Sequence, residues 1–218
     1  MTAIIFDLDG TLIDSAPDIH AAVARTLAEE GQPALSFAAV RGFIGNGVPV
    51  LIDRVMAARN EAADPARRAD LIMRFLAQYE ANSTDLTTVY PGVRAALGAL
   101  QAAGHPIGLC TNKPECPARD ILAAFDLLQF FAAVTGGDSL PLRKPHPEPL
   151  RATLRALGSD SALFVGDSEV DAQTAAAAGI RFLLFTQGYR KTPVSDLPHL
   201  RAFADFAALP DLVKRLTP

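Results

Sequence analysis

The chain has 218 residues, 50% of them hydrophobic, and a formal net charge of −4, enough to bury a sizeable core as one large domain or one domain carrying an insertion. That charge balance leaves no footprint for nucleic acid or for an anionic membrane surface, so an anionic substrate would have to meet local positive charge. No stretch is long and uncharged enough to span a bilayer, and Met1 leads into a strand without the basic and apolar regions of an export signal, the pattern expected of a cytoplasmic protein.

The first element is a short buried strand, Ile4-Ile5-Phe6, which runs into Asp7-Leu8-Asp9-Gly10. Residues two apart in an extended chain point the same way, so Asp7 and Asp9 can face one pocket, and Gly10 lets the backbone close around its contents. Two carboxylates in different environments can divide labour, one as nucleophile or metal ligand and one as acid and base, which suits a covalent acyl-phosphate mechanism. From Ala16 to Asp85 the pattern is helical: Ile19, Val23 and Leu27 recur at four-residue spacing, and Leu71, Phe75 and Tyr79 repeat the theme. Between them lies Arg41-Gly42-Phe43-Ile44-Gly45-Asn46-Gly47. Such a loop can bring the Arg41 guanidinium and the backbone N–H groups of Gly45, Asn46 and Gly47 to a ligand, or can simply connect two helices.

Asn82 to Asp85 reads as a linker, and beyond it helical and strand-like segments alternate. Helices are expected over 93–103, 118–125, 149–157 and 170–178, with a last one around 205–216. The strands are expected over 107–110, 133–134, 162–165 and 181–185. This alternation predicts an α/β fold with a doubly wound, mostly parallel sheet that the opening strand rejoins. The core is then 1–15 with 86–218, and 16–85 is a helical insertion after the first strand.

Ligands of open parallel sheets sit outside the carboxyl ends of the strands. There the sequence places Asp7 and Asp9, then Thr111 and Asn112, then Lys144, and then Gly166-Asp167-Ser168-Glu169-Val170-Asp171. Asp7, Asp9, Asp167 and Asp171 in one pocket would repel by about 4 kcal/mol per pair at ~4 Å. Cations are therefore expected: Lys144 as one, and Mg²⁺ as the ion that suits an oxygen-only donor set. Thr111 and Asn112 offer a hydroxyl and an amide to phosphate oxygens. Cys110 and Cys116 flank a turn with no Cys/His set for zinc, and read as reduced thiols.

In sequence and spacing, Asp-Leu-Asp-Gly-Thr-Leu, Thr111-Asn112, Lys144 and Gly-Asp-Ser-x-x-Asp resemble the four motifs of the haloacid dehalogenase superfamily, across nearly the whole chain. Thr111-Asn112-Lys113-Pro114, the Lys144 to Leu150 string and the Arg41 to Gly47 loop resemble its phosphoglycolate phosphatase branch. The resemblance implies Asp7 as nucleophile through an aspartyl-phosphate and Asp9 as general acid/base. It also implies Mg²⁺ held by the Asp7 side chain, the Asp9 backbone carbonyl and Asp167, with Asp171 in support. The insertion would be a helical cap, its Arg41 and Gly45–Gly47 loop reaching the non-phosphate end of the substrate. Glu169-Val170 stands where close relatives often carry Arg-Asn, and Glu169 is expected to face outward on the first turn of its helix. Phe185-Thr186-Gln187-Gly188-Tyr189 approximates the family's turn after the last strand.

These features predict a Mg²⁺-dependent phosphomonoesterase acting on a small anionic metabolite, 2-phosphoglycolate first, in a monomer or homodimer without nucleic-acid or membrane partners. A hexose-phosphate mutase or a broader sugar-phosphate or nucleotide phosphatase would share every core motif. A phosphonate hydrolase of this superfamily needs a cap lysine, and none occurs from Ala16 to Asp85. A dehalogenase would leave Asp9 and Asp167 unexplained, and a non-catalytic phosphate- or Mg²⁺-binding module would not need Asp9.

Overall fold

The computed structural model describes residues 1–217, which divide into two compact units, Met1–Asp14 with 89–217, and Ser15–Thr88. The chain opens with β1 (Ala3–Phe6), whose four residues are fully buried. A tight turn leads to β2 (Ile13–Asp14).

The Ser15–Thr88 unit is built from α1 (Ala16–Ala28), α2 (Phe37–Arg41), α3 (Val48–Ala58) and α4 (Pro65–Glu80). Pro17, Pro49 and Pro65 sit in first turns, where a missing N–H costs nothing. Ile19, Val23 and Leu27 of α1 pack toward Leu71, Phe75 and Tyr79 of α4, as their helical spacing requires. The unit is closed by Asp18, buried in α1, which accepts hydrogen bonds from the Leu86 N–H at 3.0 Å, the Thr87 N–H at 2.7 Å and the Thr87 hydroxyl at 2.7 Å. On its surface Arg67 and Arg74 of α4 both pair with Glu30, and hydrogen bonds from Arg67 in the first place hold the Glu30 carboxyl down to about 2.

After β3 (Thr88–Val89) the first unit resumes with α5 (Val93–Ala102), β4 (Ile107–Cys110), α6 (Glu115–Ala124) and β5 (Ala133–Thr135). It continues through α7 (Glu148–Ala156), β6 (Ala162–Gly166), α8 (Glu169–Ala178), β7 (Arg181–Phe185), β8 (Arg201–Phe203) and α9 (Leu209–Leu216). Six strands form one sheet in the order β5-β4-β1-β6-β7-β8, and every pairing is parallel. In β1, Ile5 lies between Gly108 of β4 and Phe164 of β6. Strands covered on both faces need apolar side chains on both, which is why β1, β6 and the buried 182–185 of β7 read as hydrophobic runs.

On one face Ile5, Phe164, Phe182 and Leu184 pack with Leu150 of α7 and Ala172 and Ala175 of α8. Phe185, one residue on and therefore pointing to the other face, packs with Phe206 at 4.9 Å and Phe203 at 5.5 Å between ring centroids. Each fully buried Phe contributes about 1.5–3 kcal/mol of apolar burial.

Two elements depart from the periodicity. The short strand β8 was not expected: Arg201 and Ala202 are exposed at the sheet edge, so its three residues carry no apolar alternation. The last helix starts at Leu209 rather than near Asp205, because Asp205 instead caps a 3₁₀ turn, its carboxylate accepting from the Ala207 N–H at 2.9 Å. Among the described residues no helix is long and apolar enough to cross a membrane.

Candidate active site

The chain leaves β1 first for β4 and β5 on one side, and only then for β6, β7 and β8 on the other. The carboxyl end of β1 is thus where connections diverge, the place where parallel sheets hold ligands. Asp7 stands there, 7% exposed, its N–H donating to the Val165 carbonyl at 2.9 Å. The turn beyond it is closed by the Gly10 N–H on the Ile13 carbonyl at 2.8 Å. Gly10 has φ +85°, and a Cβ there would lie 2.6 Å from Asp167 Oδ2.

The Lys144 ammonium, side chain 1% exposed, joins two carboxylates: Asp7 Oδ1 at 2.9 Å and Asp171 Oδ1 at 2.7 Å. Burial works against its charge, but Asp171 and then Asp7 outweigh it and hold the ammonium well above the ordinary lysine range. Asp167 is oriented by the Thr11 hydroxyl on Oδ1 at 2.9 Å and the Tyr189 N–H on Oδ2 at 2.5 Å. Gly188 is obligatory for this approach, since a Cβ would meet Asp167 Oδ2 and the Gly10 carbonyl, each at 2.3 Å. Thr111 is buried one residue beyond the carboxyl end of β4.

Carboxylate oxygens of Asp7, Asp167 and Asp171, all buried, lie within 4.8 Å of one another. Three carboxylates against one ammonium leave surplus negative charge. Burial first, and Asp171 second, raise the Asp7 carboxyl to about 6 against the pull of Lys144; burial and the neighbouring carboxylates put Asp167 well above the ordinary range. A hard divalent cation fits this all-oxygen, overcharged cluster.

The surplus has a consequence for stability. Asp7 titrates near 6 when folded and 3.8 when exposed, so the folded state binds more protons between those values and loses stability as pH rises through them. In chelator, Asp7→Asn is expected to match wild type in melting near pH 4 and to exceed it by about 2–3 kcal/mol near pH 7. An unchanged difference across that range would show that Asp7 carries no such penalty.

Three of the expected residues have specific partners in the structure. Asp171, expected to support the metal, pairs through Oδ1 with Lys144, and its Oδ2 accepts from the N–H groups of Asp167 and Ser168 and the Ser168 hydroxyl. It positions Lys144 and the first turn of α8, and its carboxylate remains part of the buried cluster with Asp7 and Asp167. Asn112, expected as a phosphate ligand, donates from its amide to the Lys144 carbonyl at 2.9 Å, tethering the loop that carries the lysine. Glu169 does not simply face outward: Oε1 accepts from the Lys191 and Thr192 N–H groups, and despite partial burial these bonds hold its carboxyl below the ordinary range.

In the Ser15–Thr88 unit, Arg41 ends α2, and the loop beyond it needs glycine at Gly45 (φ +118°) and Gly47 (φ +83°). Arg54 of α3 holds this loop from behind, donating to the Phe43 carbonyl at 2.7 Å and to Asn46 Oδ1 at 2.8 Å. The Asn46 side chain is therefore a brace of the loop, whatever its backbone N–H does.

Sequence reasoning assigned no role to Thr11, Lys113, Gly188 or Tyr189. Lys113 reaches Asp9, with Nζ 3.2 Å from Oδ1 and 3.3 Å from Oδ2. Three of these had a usable signal: Thr11 lies two residues beyond Asp9, and Gly188-Tyr189 closely follows the carboxyl end of β7.

A parallel sheet whose central strand delivers a buried, lysine-paired aspartate beside a second carboxylate pair defines a class. The chain belongs to the haloacid dehalogenase-like hydrolases, whose family model matches residues 1–179. More particularly, it is 60% identical over 216 residues to a phosphoglycolate phosphatase of Cereibacter sphaeroides, with 99% of each chain covered. It is 45% identical to a phosphoglycolate phosphatase of Rhodobacter capsulatus, covering 99% of this chain and 98% of that one. A crystal structure of a predicted phosphoglycolate phosphatase from Haemophilus somnus superposes with TM-score 0.91 at 32% identity, covering 98% of both chains.

Proposed function

We propose that the protein is a Mg²⁺-dependent phosphomonoesterase that converts 2-phosphoglycolate to glycolate and phosphate through an aspartyl-phosphate on Asp7. The observation that carries the reading is the Asp7–Lys144–Asp171 chain of ion pairs inside a buried carboxylate cluster. Full-length relatives named for this activity support the substrate.

Asp7 is the nucleophile: a carboxylate oxygen attacks phosphorus as the bond to the glycolate oxygen breaks. Asp9, two residues along the same strand end, gives that oxygen its proton and then takes one from the water that hydrolyses the acyl-phosphate. Lys144 places a fixed positive charge beside the oxygen that attacks, and Thr111 offers a hydroxyl to the transferring group. The Asp7 and Asp167 carboxylates and the Asp9 backbone carbonyl would hold Mg²⁺, which when bound would neutralise phosphate charge. Arg41 and the backbone of the Gly45–Gly47 loop recognise the substrate carboxylate, a cation and N–H donors for an anion.

Phosphate release from a panel of phosphorylated metabolites, with Mg²⁺ and with chelator, tests this reading. Metal-dependent release concentrated on 2-phosphoglycolate is expected. Loss of a charge-assisted contact makes Arg41→Ala about 10- to 100-fold poorer in kcat/KM for that substrate, with an aryl phosphate affected by less than about 3-fold. An unchanged value for 2-phosphoglycolate would remove Arg41 from recognition. Transfer of phosphate between positions of a sugar, without release, would replace the phosphatase by a mutase.

A further inference from the structure

Lys113 is the buried cation that the scheme above leaves unused. Its side chain is 4% exposed and that of its partner Asp9 14%. An ammonium loses much of its hydration at such a position, and its partner must compensate. The backbone beneath it is held on both sides: its N–H donates to Thr111 Oγ1 at 3.3 Å, and its carbonyl accepts from the Gly137 N–H at 2.8 Å. Gly137 admits this packing only without a side chain, since a Cβ would lie 2.3 Å from the Asn112 carbonyl. Asp9 is anchored too, bridged to Ile13 across the closed Gly10 turn. Two fixed backbones thus deliver an ammonium that meets both oxygens of one carboxylate almost equally, at 3.2 and 3.3 Å. A two-oxygen contact constrains the plane of the carboxylate as well as its place.

We propose that Lys113 is a positioning residue that sets the orientation of the Asp9 carboxylate for proton transfer to the leaving oxygen. The inference rests on the phosphatase reading, in which Asp9 is the general acid. A misdirected acid matters when the leaving group is a poor one, an alkoxide, and matters little for a nitrophenolate that departs unprotonated. A residue that merely supported the fold, or that held the transferring phosphate, would affect both alike.

The test measures kcat/KM with Mg²⁺ for 2-phosphoglycolate, ethyl phosphate and p-nitrophenyl phosphate, in wild type, Lys113→Met, Asp9→Asn and the double variant. Lys113→Met is expected to lower both alkyl phosphates by about 10- to 100-fold and the aryl phosphate by less than about 3-fold, a fraction of what acid catalysis supplies. Added to Asp9→Asn it is expected to change the alkyl rates by less than about 3-fold, since a residue acting through Asp9 has nothing left to act on. Equal losses on alkyl and aryl substrates, no loss at all, or a loss confined to 2-phosphoglycolate, which would mark Lys113 as a carboxylate ligand, each overturn the proposal. Should Lys113→Met fail to fold, the double variant, which removes both charges together, decides: parity with Asp9→Asn supports positioning, and a further full loss overturns it. Wild-type protein that releases phosphate from none of the three would sink the phosphatase reading itself, an outcome distinct from any behaviour of the variants.

Discussion

Asparagine at position 7 is expected to abolish phosphate release, by at least about 10³-fold, while leaving a folded protein. The amide keeps the shape of the carboxylate but cannot form an acyl-phosphate. The same change relieves a cluster in which burial has pushed Asp7 up to about 6, so loss of activity should come with equal or greater thermal stability in chelator. That combination separates a chemical role from a structural one, because a variant that lost activity through misfolding would melt lower. Added Mg²⁺ should also raise the melting temperature of the variant less than that of wild type, one of the carboxylates proposed to hold the ion having lost its charge. Turnover within about 10-fold of wild type would place the nucleophile elsewhere.

Methionine at position 144 is expected to cost both function and stability. The ammonium lies 2.9 Å from Asp7 and 2.7 Å from Asp171, at a position 1% exposed. Its removal leaves two buried carboxylates facing each other with a third nearby. Breaking a buried pair by deleting one partner costs about 3–5 kcal/mol. At about 2–4 °C per kcal/mol for a chain of this size, the melting temperature should fall by roughly 6–20 °C. Phosphate release should be lost as well, since the attacking oxygen no longer has a fixed charge beside it. Arginine should restore little, because a planar fork cannot place one compact charge between two carboxylates as an ammonium does. Unchanged melting together with Mg²⁺-dependent turnover would show that Lys144 is dispensable.

Much of the architecture was legible from residues alone, and for a physical reason. Strands buried on both faces must be apolar throughout, so β4 and β7 stand where their hydrophobic runs predict, at Ile107–Cys110 and Arg181–Phe185. The edge strand β8 escaped because an exposed strand of three residues is under no such demand. The candidate site was legible in the same way: in a parallel sheet the segments after the strands fall at one end, so Asp7, Thr111 and Asp167, each directly after a strand, and Lys144, in the connection after β5, could be grouped before any coordinates.

Partner choice was decided by the tertiary structure alone. Lys113 meets Asp9 across 104 residues of sequence, Asn112 meets the Lys144 carbonyl across 32, and the Tyr189 N–H meets Asp167 across 22. No local pattern encodes these contacts. Periodicity reports which face of an element is buried; it carries no information on which buried donor lies 3 Å from which acceptor. That follows from the register of β1 against β4 and β6, Ile5 opposite Gly108 and Phe164. The sequence by itself determined the end of the sheet at which the charges gather. Only the packing of the strands decided that Asp171 serves Lys144, that Asn112 serves a backbone carbonyl, and that Lys113 serves Asp9.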